Sequence, residues 1–248
     1  MRSRAPAATA VIAAAGSGER LGAGGPKAFV PLAGRPMIEW SIDAFRACDS
    51  VRSIVVAAPP GHVHDLGGHD LGVVAGGATR AESVANALAA VGTALVAIHD
   101  AARPLVTPEL IEELVARLDV SRDAAGAIAA APVTDTIKQA AGATGGGTSD
   151  AFSGPGTDNA SLVIEQTLNR SRLWAAQTPQ VFRIEALREA LAVAPERRDA
   201  ATDEAMLVEE AGGTVLIHPC GPENLKVTTP SDLHVAEMLL AERSADGR

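Results

Sequence analysis

Residues 8–18 read ATAVIAAAGSG, an apolar run that ends in a glycine-rich turn. A short run of small and β-branched residues bounded by glycine predicts a buried strand, here placed at Ala8–Ala14. Apolar residues at helical spacing follow over Met37–Ala47, and a second apolar run, Ser53–Ala58, stops at Pro59. A strand, a helix and another buried strand in this order predict a βαβ unit with parallel strands.

The same alternation continues along the chain. Further strands are predicted at 71–74, 94–98, 126–131 and 214–218. Further helices are predicted at 80–91, 108–118, 184–192, 203–211 and 231–242. Val181 is assigned to the helix at 184–192, and Ser231 is the predicted N-cap of the last helix. The predicted fold class is therefore α/β, with a mainly parallel sheet covered by helices on both faces. Ligands of such sheets bind at the carboxyl ends of the strands.

One segment, 140–161, interrupts the alternation because it is rich in Gly, Ser, Thr and Asp, and it predicts a flexible loop. Residues 162–164 return as a strand that pairs with the 136–138 side, which makes a projecting β-hairpin. We therefore predict one domain over 1–248 with an arm over 135–171 that carries this insertion.

Composition excludes several classes of protein. The net charge is −9 and aromatic residues make up 2% of the chain, so neither a general nucleic-acid surface nor a base-stacking platform is expected. Cys48 and Cys220 fit neither a CxxC metal site nor a disulfide framework, which favours a reducing compartment such as the cytoplasm. No apolar run is long enough for a membrane span, which needs about 18 residues.

The N-terminus allows a second interpretation. Met1–Arg4 and the alanine-rich stretch after it have the basic start and small residues of a signal peptide. The stretch contains no Leu or Phe, and the first-strand interpretation is preferred.

The chemistry predicted for the first turn is phosphate binding. Small residues let the backbone approach a ligand closely, and Gly16 and Gly18 allow turns in which successive N–H groups point at one phosphate. Arg20 and Lys27 add positive charge. No GKS or GKT follows, so the turn is not a Walker A loop, and Leu21 breaks a GxGxxG pattern. A tight strand–helix turn without a ligand is the alternative from these residues alone.

Seven blocks together resemble the 2-C-methyl-D-erythritol 4-phosphate cytidylyltransferase (IspD-type) family. In order they are residues 14–21 (AAGSGERL) with Pro26-Lys27, 76–84 (GGATRAESV), 99–104 (HDAARP), 132–138 (PVTDTIK), 173–182 (LWAAQTPQVF), 202–205 (TDEA) and 224–228 (NLKVT). They lie in this order from residue 14 to residue 228, so the resemblance extends over nearly the whole chain. The resemblance implies a Rossmann-like nucleotidyltransferase fold and cytidylyl transfer from CTP to 2-C-methyl-D-erythritol 4-phosphate, with release of pyrophosphate, in isoprenoid biosynthesis.

The resemblance also implies roles for particular residues. Catalytic roles fall to Arg20, Lys27, Arg170 and Lys226, and nucleotide binding to Ala13, Ala14, Ala15, Gly16, Ser17, Gly18, Gly77, Ser83, Asp100 and Ala101. Asp100 is also expected to ligate Mg²⁺, directly or through water, although a lone carboxylate makes a weak metal site. Ala78 stands where the family often has an acidic residue or Asn, and Ser83 has a plain helix-terminal role as its alternative.

On the acceptor side the resemblance points to Thr136, Arg103, Asp135 and Thr178, with the substrate phosphate held by Arg170 and Lys226. Arg170 matches the family spacing and Arg172 is its rival. In the family this arginine comes from the arm of the other subunit, so a homodimer with a shared site is expected, with no nucleic-acid or membrane partner.

Two alternatives remain for the function. A related cytidylyltransferase acting on another polyol phosphate, such as ribitol 5-phosphate, would have the same catalytic loop. A dinucleotide-binding oxidoreductase or a non-catalytic nucleotide-binding module is disfavoured, because the chain lacks GxGxxG and retains Arg20 and Lys27.

Overall fold

The computed structural model describes residues 7–16, 18, 21, 25–64, 66, 71–141, 163–193 and 195–245. Their strands are β1 (Ala8–Ala13), β2 (Pro31–Leu32), β3 (Arg35–Pro36), β4 (Val51–Ala58), β5 (Gly72–Ala75), β6 (Leu95–Asp100), β7 (Gly126–Pro132), β8 (Lys138–Ala140), β9 (Ile164–Thr167), β10 (Trp174–Arg183) and β11 (Val215–Pro219). Their α-helices are α1 (Met37–Arg46), α2 (Arg80–Leu88), α3 (Pro108–Val120), α4 (Ile184–Leu191), α5 (Pro195–Ala200), α6 (Glu204–Glu210) and α7 (Pro230–Ala245).

The main sheet confirms the predicted α/β class. Within the described ranges it has seven strands in the order β11-β7-β10-β6-β1-β4-β5. β1 pairs in parallel with both β4 and β6, and β4 pairs in parallel with β5. β7 and β11 are also parallel, whereas β10 runs antiparallel to β6.

Both faces of the sheet are buried, as the continuous apolar strands predict. Along β1, Ile12 belongs to a core cluster that also contains Phe45 of α1 and Leu114 of α3. Val11, the next residue, belongs to the cluster on the other face, which includes Val84 of α2. Side chains of a strand alternate between faces, so one strand supplies both cores.

Two predictions about the later elements are wrong. Val181 lies in β10, not in a helix, and the helix starts at Ile184. The strand escaped the pattern because its polar residues Gln177, Thr178 and Gln180 are buried, whereas the apolar residues Trp174–Ala176 are exposed. Ser231 is not the N-cap of α7, since that helix already includes Pro230, a residue suited to a first helical position.

A second compact unit comprises 132–175, and the first comprises 1–131 and 176–248. Within the second unit, β8 and β9 form an antiparallel hairpin as predicted, with Lys138 opposite Thr167. Its strands lie two to three residues later than the predicted 136–138 and 162–164. The prediction of one domain with an arm over 135–171 stays a prediction, and most of its insertion, residues 142–161, lies outside the described residues.

Candidate active site

The carboxyl ends of the central strands lie side by side because of the register of the sheet. Ala13 at the end of β1 is opposite Ala57 in β4 and Asp100 at the end of β6. The backbone N–H of Ala101 donates to the carbonyl of Ala13 at 3.0 Å, which continues the pairing past the strands. The first predicted turn and the loop after β6 therefore meet at one edge of the sheet, where ligands of such folds bind.

The turn after β1 is partly described. Ala13, Ala14, Ala15, Gly16, Gly18 and Lys27 are described, whereas Ser17 and Arg20 lie outside the described residues. The backbone N–H of Lys27 donates to the carbonyl of Gly16 at 3.2 Å, which brings Lys27 to the end of β1. Gly18 has φ +76°, and a Cβ there would lie 3.0 Å from the backbone nitrogen of Lys27. Glycine is therefore required on both conformational and steric grounds.

The turn before α2 packs against the end of β1. Gly76 donates its N–H to the carbonyl of Ala58 at 2.7 Å, and a Cβ on Gly76 would lie 2.4 Å from the Cβ of Ala15. The buried hydroxyl of Ser83 accepts the N–H of Gly77 at 3.0 Å and donates to the carbonyl of Thr79 at 2.9 Å. Its contacts therefore shape this turn, and its role toward a nucleotide stays a prediction.

A chain of four charged side chains passes through Asp100. Its Oδ1 accepts from Arg80 Nε at 2.8 Å and its Oδ2 accepts from Lys226 Nζ at 2.7 Å. Arg80 Nη1 also lies 2.6 Å from both carboxylate oxygens of Glu204. Burial opposes ionisation of Asp100, but Arg80 and Lys226 outweigh it and hold the pKa of Asp100 well below its ordinary value. Asp100 is therefore a carboxylate at neutral pH.

The described side chains of the candidate site provide few ligands for a metal ion that the protein would bind by itself. Within the described part of the chain, no group of three or more His, Cys, Asp or Glu side chains could hold one. Asp100 supplies one carboxylate whose two oxygens already face Lys226 and Arg80. A single carboxylate fits Mg²⁺ that arrives with phosphate oxygens and keeps its waters, rather than a metal that the protein holds alone.

Arg103 and Thr178 have partners inside the first unit. Arg103 Nη1 donates to the carbonyl of Asn224 at 2.7 Å, which ties the loop after β6 to the segment that carries Lys226. The hydroxyl of Thr178 accepts the backbone N–H of Asp100 and lies 3.1 Å from His99 Nδ1. Both side chains are buried. Their roles toward a substrate stay predictions.

Asp135, Thr136 and Arg170 belong to the second unit. Arg170 lies in a short 3-10 helix, Arg170–Arg172, and its guanidinium donates to the carbonyl of Thr134. Arg170 and Arg172 are both exposed. The contact with Thr134 gives Arg170 a fixed direction within its own unit.

The family model that matches this chain is 2-C-methyl-D-erythritol 4-phosphate cytidylyltransferase, over residues 8–153 and 155–242. The chain belongs to this family. It is similar to the 2-C-methyl-D-erythritol 4-phosphate cytidylyltransferase of Synechococcus sp. strain CC9902, with 39% identity over 242 residues, covering 94% of this chain and 98% of the relative. These cytidylyltransferases are nucleotidyltransferases, so the enzyme class predicted from the sequence is confirmed.

Solved structures of the cytidylyltransferase family share the fold. The enzyme from Thermus thermophilus has a TM-score of 0.71 and 31% identity, covering 93% of this chain and 97% of that one. The enzyme from Francisella tularensis has a TM-score of 0.73 and 27% identity, covering 94% and 99%. The Rossmann-like nucleotidyltransferase fold is therefore confirmed.

Sequence reasoning did not assign site roles to Arg80 and Glu204. Both lie inside blocks that carried the family resemblance, TRAES and TDEA, which was the signal available for them. Their pairing joins positions 124 residues apart, and no local pattern reports such a contact.

Proposed function

We propose that this protein transfers the cytidylyl group of CTP to 2-C-methyl-D-erythritol 4-phosphate and releases pyrophosphate. The observation that carries the proposal is the pairing of Asp100 with Lys226 and Arg80 at the end of β6, beside the small residues at the end of β1. It combines cations for phosphate groups with close access to the main chain, within a chain that belongs to this family.

The reaction needs positioning and charge stabilisation. A phosphate oxygen of the acceptor attacks the α-phosphorus of CTP, a new P–O bond forms, and the bond from that phosphorus to the bridging oxygen breaks. The pyrophosphate leaves with the electron pair of that bond. Such transfers proceed in line and gain most from cations that meet the developing charge.

The residues divide between the two substrates. We propose that Arg20 and Lys27 neutralise the triphosphate and that the backbone of Ala13–Gly16 and Gly77 contacts the nucleotide. Lys226 binds the acceptor phosphate as a point charge, and Arg170 binds it through the paired N–H donors of its planar guanidinium. The small residues at the end of β1 support this division because Ala15 and Gly16 carry little or no side chain to cover the main chain, and Gly16 is exposed.

Mg²⁺ is proposed to enter as the complex with CTP. When bound, the ion neutralises phosphate oxygens and orients the leaving group. Asp100 is the carboxylate proposed to face it, and the single-carboxylate donor set described above supports a metal carried mainly by the nucleotide.

A homodimer with a shared site and a cytoplasmic location complete the proposal. The exposed hairpin of the second unit, where all of Ile164–Thr167 is exposed, supports a subunit contact. Cys48 and Cys220 are free thiols, which suits a reducing compartment. No described helix is long and apolar enough to cross a membrane.

The test is product identification. The purified protein is incubated with CTP, Mg²⁺ and either 2-C-methyl-D-erythritol 4-phosphate or ribitol 5-phosphate, and pyrophosphate and the cytidylylated product are measured. We expect turnover with the first acceptor and loss of nearly all turnover in Lys27→Ala, a barrier increase of about 3 kcal/mol or more. Preference for ribitol 5-phosphate, or no pyrophosphate with either acceptor, would contradict the proposal.

A further inference from the structure

Glu204 is a buried acid that the proposed chemistry does not use. Its residue is 1% exposed, and both carboxylate oxygens lie 2.6 Å from Arg80 Nη1. Burial raises the pKa of Glu204, and Arg80 opposes this rise. A carboxylate in such a place is costly unless it is paired, so its contact with Arg80 is what allows it to stay there.

Arg80 connects Glu204 to Asp100, and Asp100 connects Arg80 to Lys226. The charges alternate along this chain, which we call the Glu204–Lys226 relay: Glu204, Arg80, Asp100, Lys226. The two carboxylates are the more buried members, with side-chain exposures of 1% at Glu204 and 10% at Asp100, against 28% at Arg80 and 41% at Lys226. The fixed end is therefore the buried carboxylate, and the open end is the ammonium that the proposed function assigns to a phosphate.

The charge of Glu204 at the buried end of the relay affects the position of Lys226 at its exposed end. Burial disfavours the charged form of Arg80, and its contacts with Asp100 and Glu204 outweigh burial and raise its pKa. While Glu204 shares the charge of Arg80, Asp100 is available to Lys226. Without the charge of Glu204, Asp100 would be the remaining carboxylate of the relay for both cations and would be drawn toward the guanidinium.

We propose that Glu204 is a positioning residue for the transfer reaction. Acting through Arg80, it fixes the orientation of the Asp100 carboxylate and thereby the place of the Lys226 ammonium. The inference rests on the proposed function, in which Lys226 meets the acceptor phosphate. It predicts that a change at Glu204 affects use of the acceptor far more than use of CTP.

A double-mutant cycle on the full chain tests the relay, with Glu204→Gln, Lys226→Met and the double variant. Glutamine keeps the shape of the side chain and an acceptor oxygen but removes the charge. We expect Glu204→Gln to lower kcat/KM for the acceptor about tenfold while KM for CTP changes less than about threefold. In the Lys226→Met background the same change should alter the residual rate by less than about twofold, because the ammonium that Glu204 positions is then absent.

The neighbouring acid provides a matched control. Asp203 caps α6 and accepts from Gln180 at 2.8 Å, and it is not part of the relay. Asp203→Asn should disturb the same helix without changing the ratio of the two KM values. If Glu204→Gln does not fold, as judged by circular dichroism, Arg80→Lys replaces it in the cycle. A lysine ammonium cannot reproduce the two contacts that the guanidinium of Arg80 makes with Asp100 and Glu204.

Failure of the relay and failure of the proposed function give different results. Losses that multiply across the cycle, or equal losses for CTP and acceptor, would overturn the relay in a protein that otherwise transfers cytidylyl groups. Absence of pyrophosphate release by the unmodified protein would remove the proposed function and the relay with it. Non-additive losses confined to the acceptor would establish the relay.

Discussion

His99 Nδ1 lies 3.1 Å from the Oγ1 atom of Thr178, and both groups are buried. The same hydroxyl oxygen accepts the backbone N–H of Asp100 at 3.1 Å, so its own proton is free to be donated to the ring. His99 Nδ1 is then the acceptor, and Nε2 carries the ring proton and donates it to the carbonyl of Arg103 at 3.1 Å. A neutral imidazole thus connects Thr178 to the loop that follows β6.

This arrangement predicts a pH-dependent stability. Burial lowers the pKa of His99 from 6.5 to about 4. Between these values the unfolded chain binds a proton that the folded protein does not, so stability is complete above about pH 6.5 and falls as the pH drops toward 4. The loss should reach about 3 kcal/mol in urea unfolding measured across this window without added metal.

The control for this pH dependence is a matched substitution elsewhere. His99→Asn should remove the fall in stability toward pH 4, and it should leave the opposite contribution of Glu204, whose raised pKa favours the folded state as the pH falls. His234→Asn, at an exposed position of α7, should leave the fall in place. Asp100 has a lowered pKa, so the stability that its ionisation contributes is lost below the ordinary value of 3.8 and does not enter this window. An unchanged slope in His99→Asn would show that another group titrates there.

Thr178→Val tests the hydroxyl itself. Valine has nearly the same shape but cannot accept from the backbone N–H of Asp100 or donate to His99, and an unsatisfied buried polar group costs about 1–3 kcal/mol. We expect urea unfolding to show a loss in this range, and Thr178→Ser to restore most of it. A valine variant as stable as the unmodified protein would contradict the contacts described here.

Much of the fold could be predicted from local patterns. The apolar runs of β1 and β4 and the helical spacing of α1 are continuous, and the structure places them within one or two residues of the predicted bounds. β10 could not be predicted in this way, because its polar residues Gln177, Thr178 and Gln180 are buried and its apolar start, Trp174–Ala176, is exposed. Its register is set by pairing with β6, a contact between distant parts of the chain.

The candidate site also contains parts that local sequence patterns predict and parts that depend on contacts between distant residues. The turn at Gly16 and Gly18 carries its own signal, because glycine tolerates the backbone conformation and close approach required there. The contact of Glu204 with Arg80 has no such signal, since each residue lies in the first turn of its own helix and no local pattern identifies its partner. Side-chain partners far apart in sequence become visible when the sheet brings their helices together.

Gly76→Ala tests the close approach of the turn before α2 to the end of β1. A Cβ at Gly76 would lie 2.4 Å from the Cβ of Ala15 and 3.2 Å from the carbonyl oxygen of Ala58. Overpacking of this kind costs about 1–3 kcal/mol, which urea unfolding would measure, and displacement of Ala15 should raise KM for CTP.

The matched control is Gly92→Ala, where a Cβ would meet nothing within 4 Å. Its stability should change by no more than about 0.5 kcal/mol, with KM for CTP unaffected. Equal behaviour of the two variants would show that the turn adapts to a methyl group without cost.

Arg170 and Arg172 lie in the same short helix. The family resemblance predicts that Arg170, and not Arg172, binds the acceptor phosphate. Arg170→Ala should therefore raise KM for 2-C-methyl-D-erythritol 4-phosphate strongly, since loss of a bidentate arginine contact to an anion costs about 1.5–3 kcal/mol. Arg172→Ala, an equal change of charge two residues away, should leave that KM nearly unchanged. Equal effects of the two variants would indicate a general electrostatic attraction.

A hybrid dimer tests whether Arg170 serves the site of the other subunit. One subunit carries Lys27→Ala, the other carries Arg170→Ala, and two affinity tags isolate the mixed species. If the arm acts across the dimer, one site combines both defects and the other has an intact Lys27 and an intact Arg170, so the hybrid should recover about half of the unmodified rate per dimer. If Arg170 acts in its own subunit, each site keeps one defect and the hybrid stays as inactive as its parents. A monomeric protein in sedimentation at assay concentration would exclude the shared site directly.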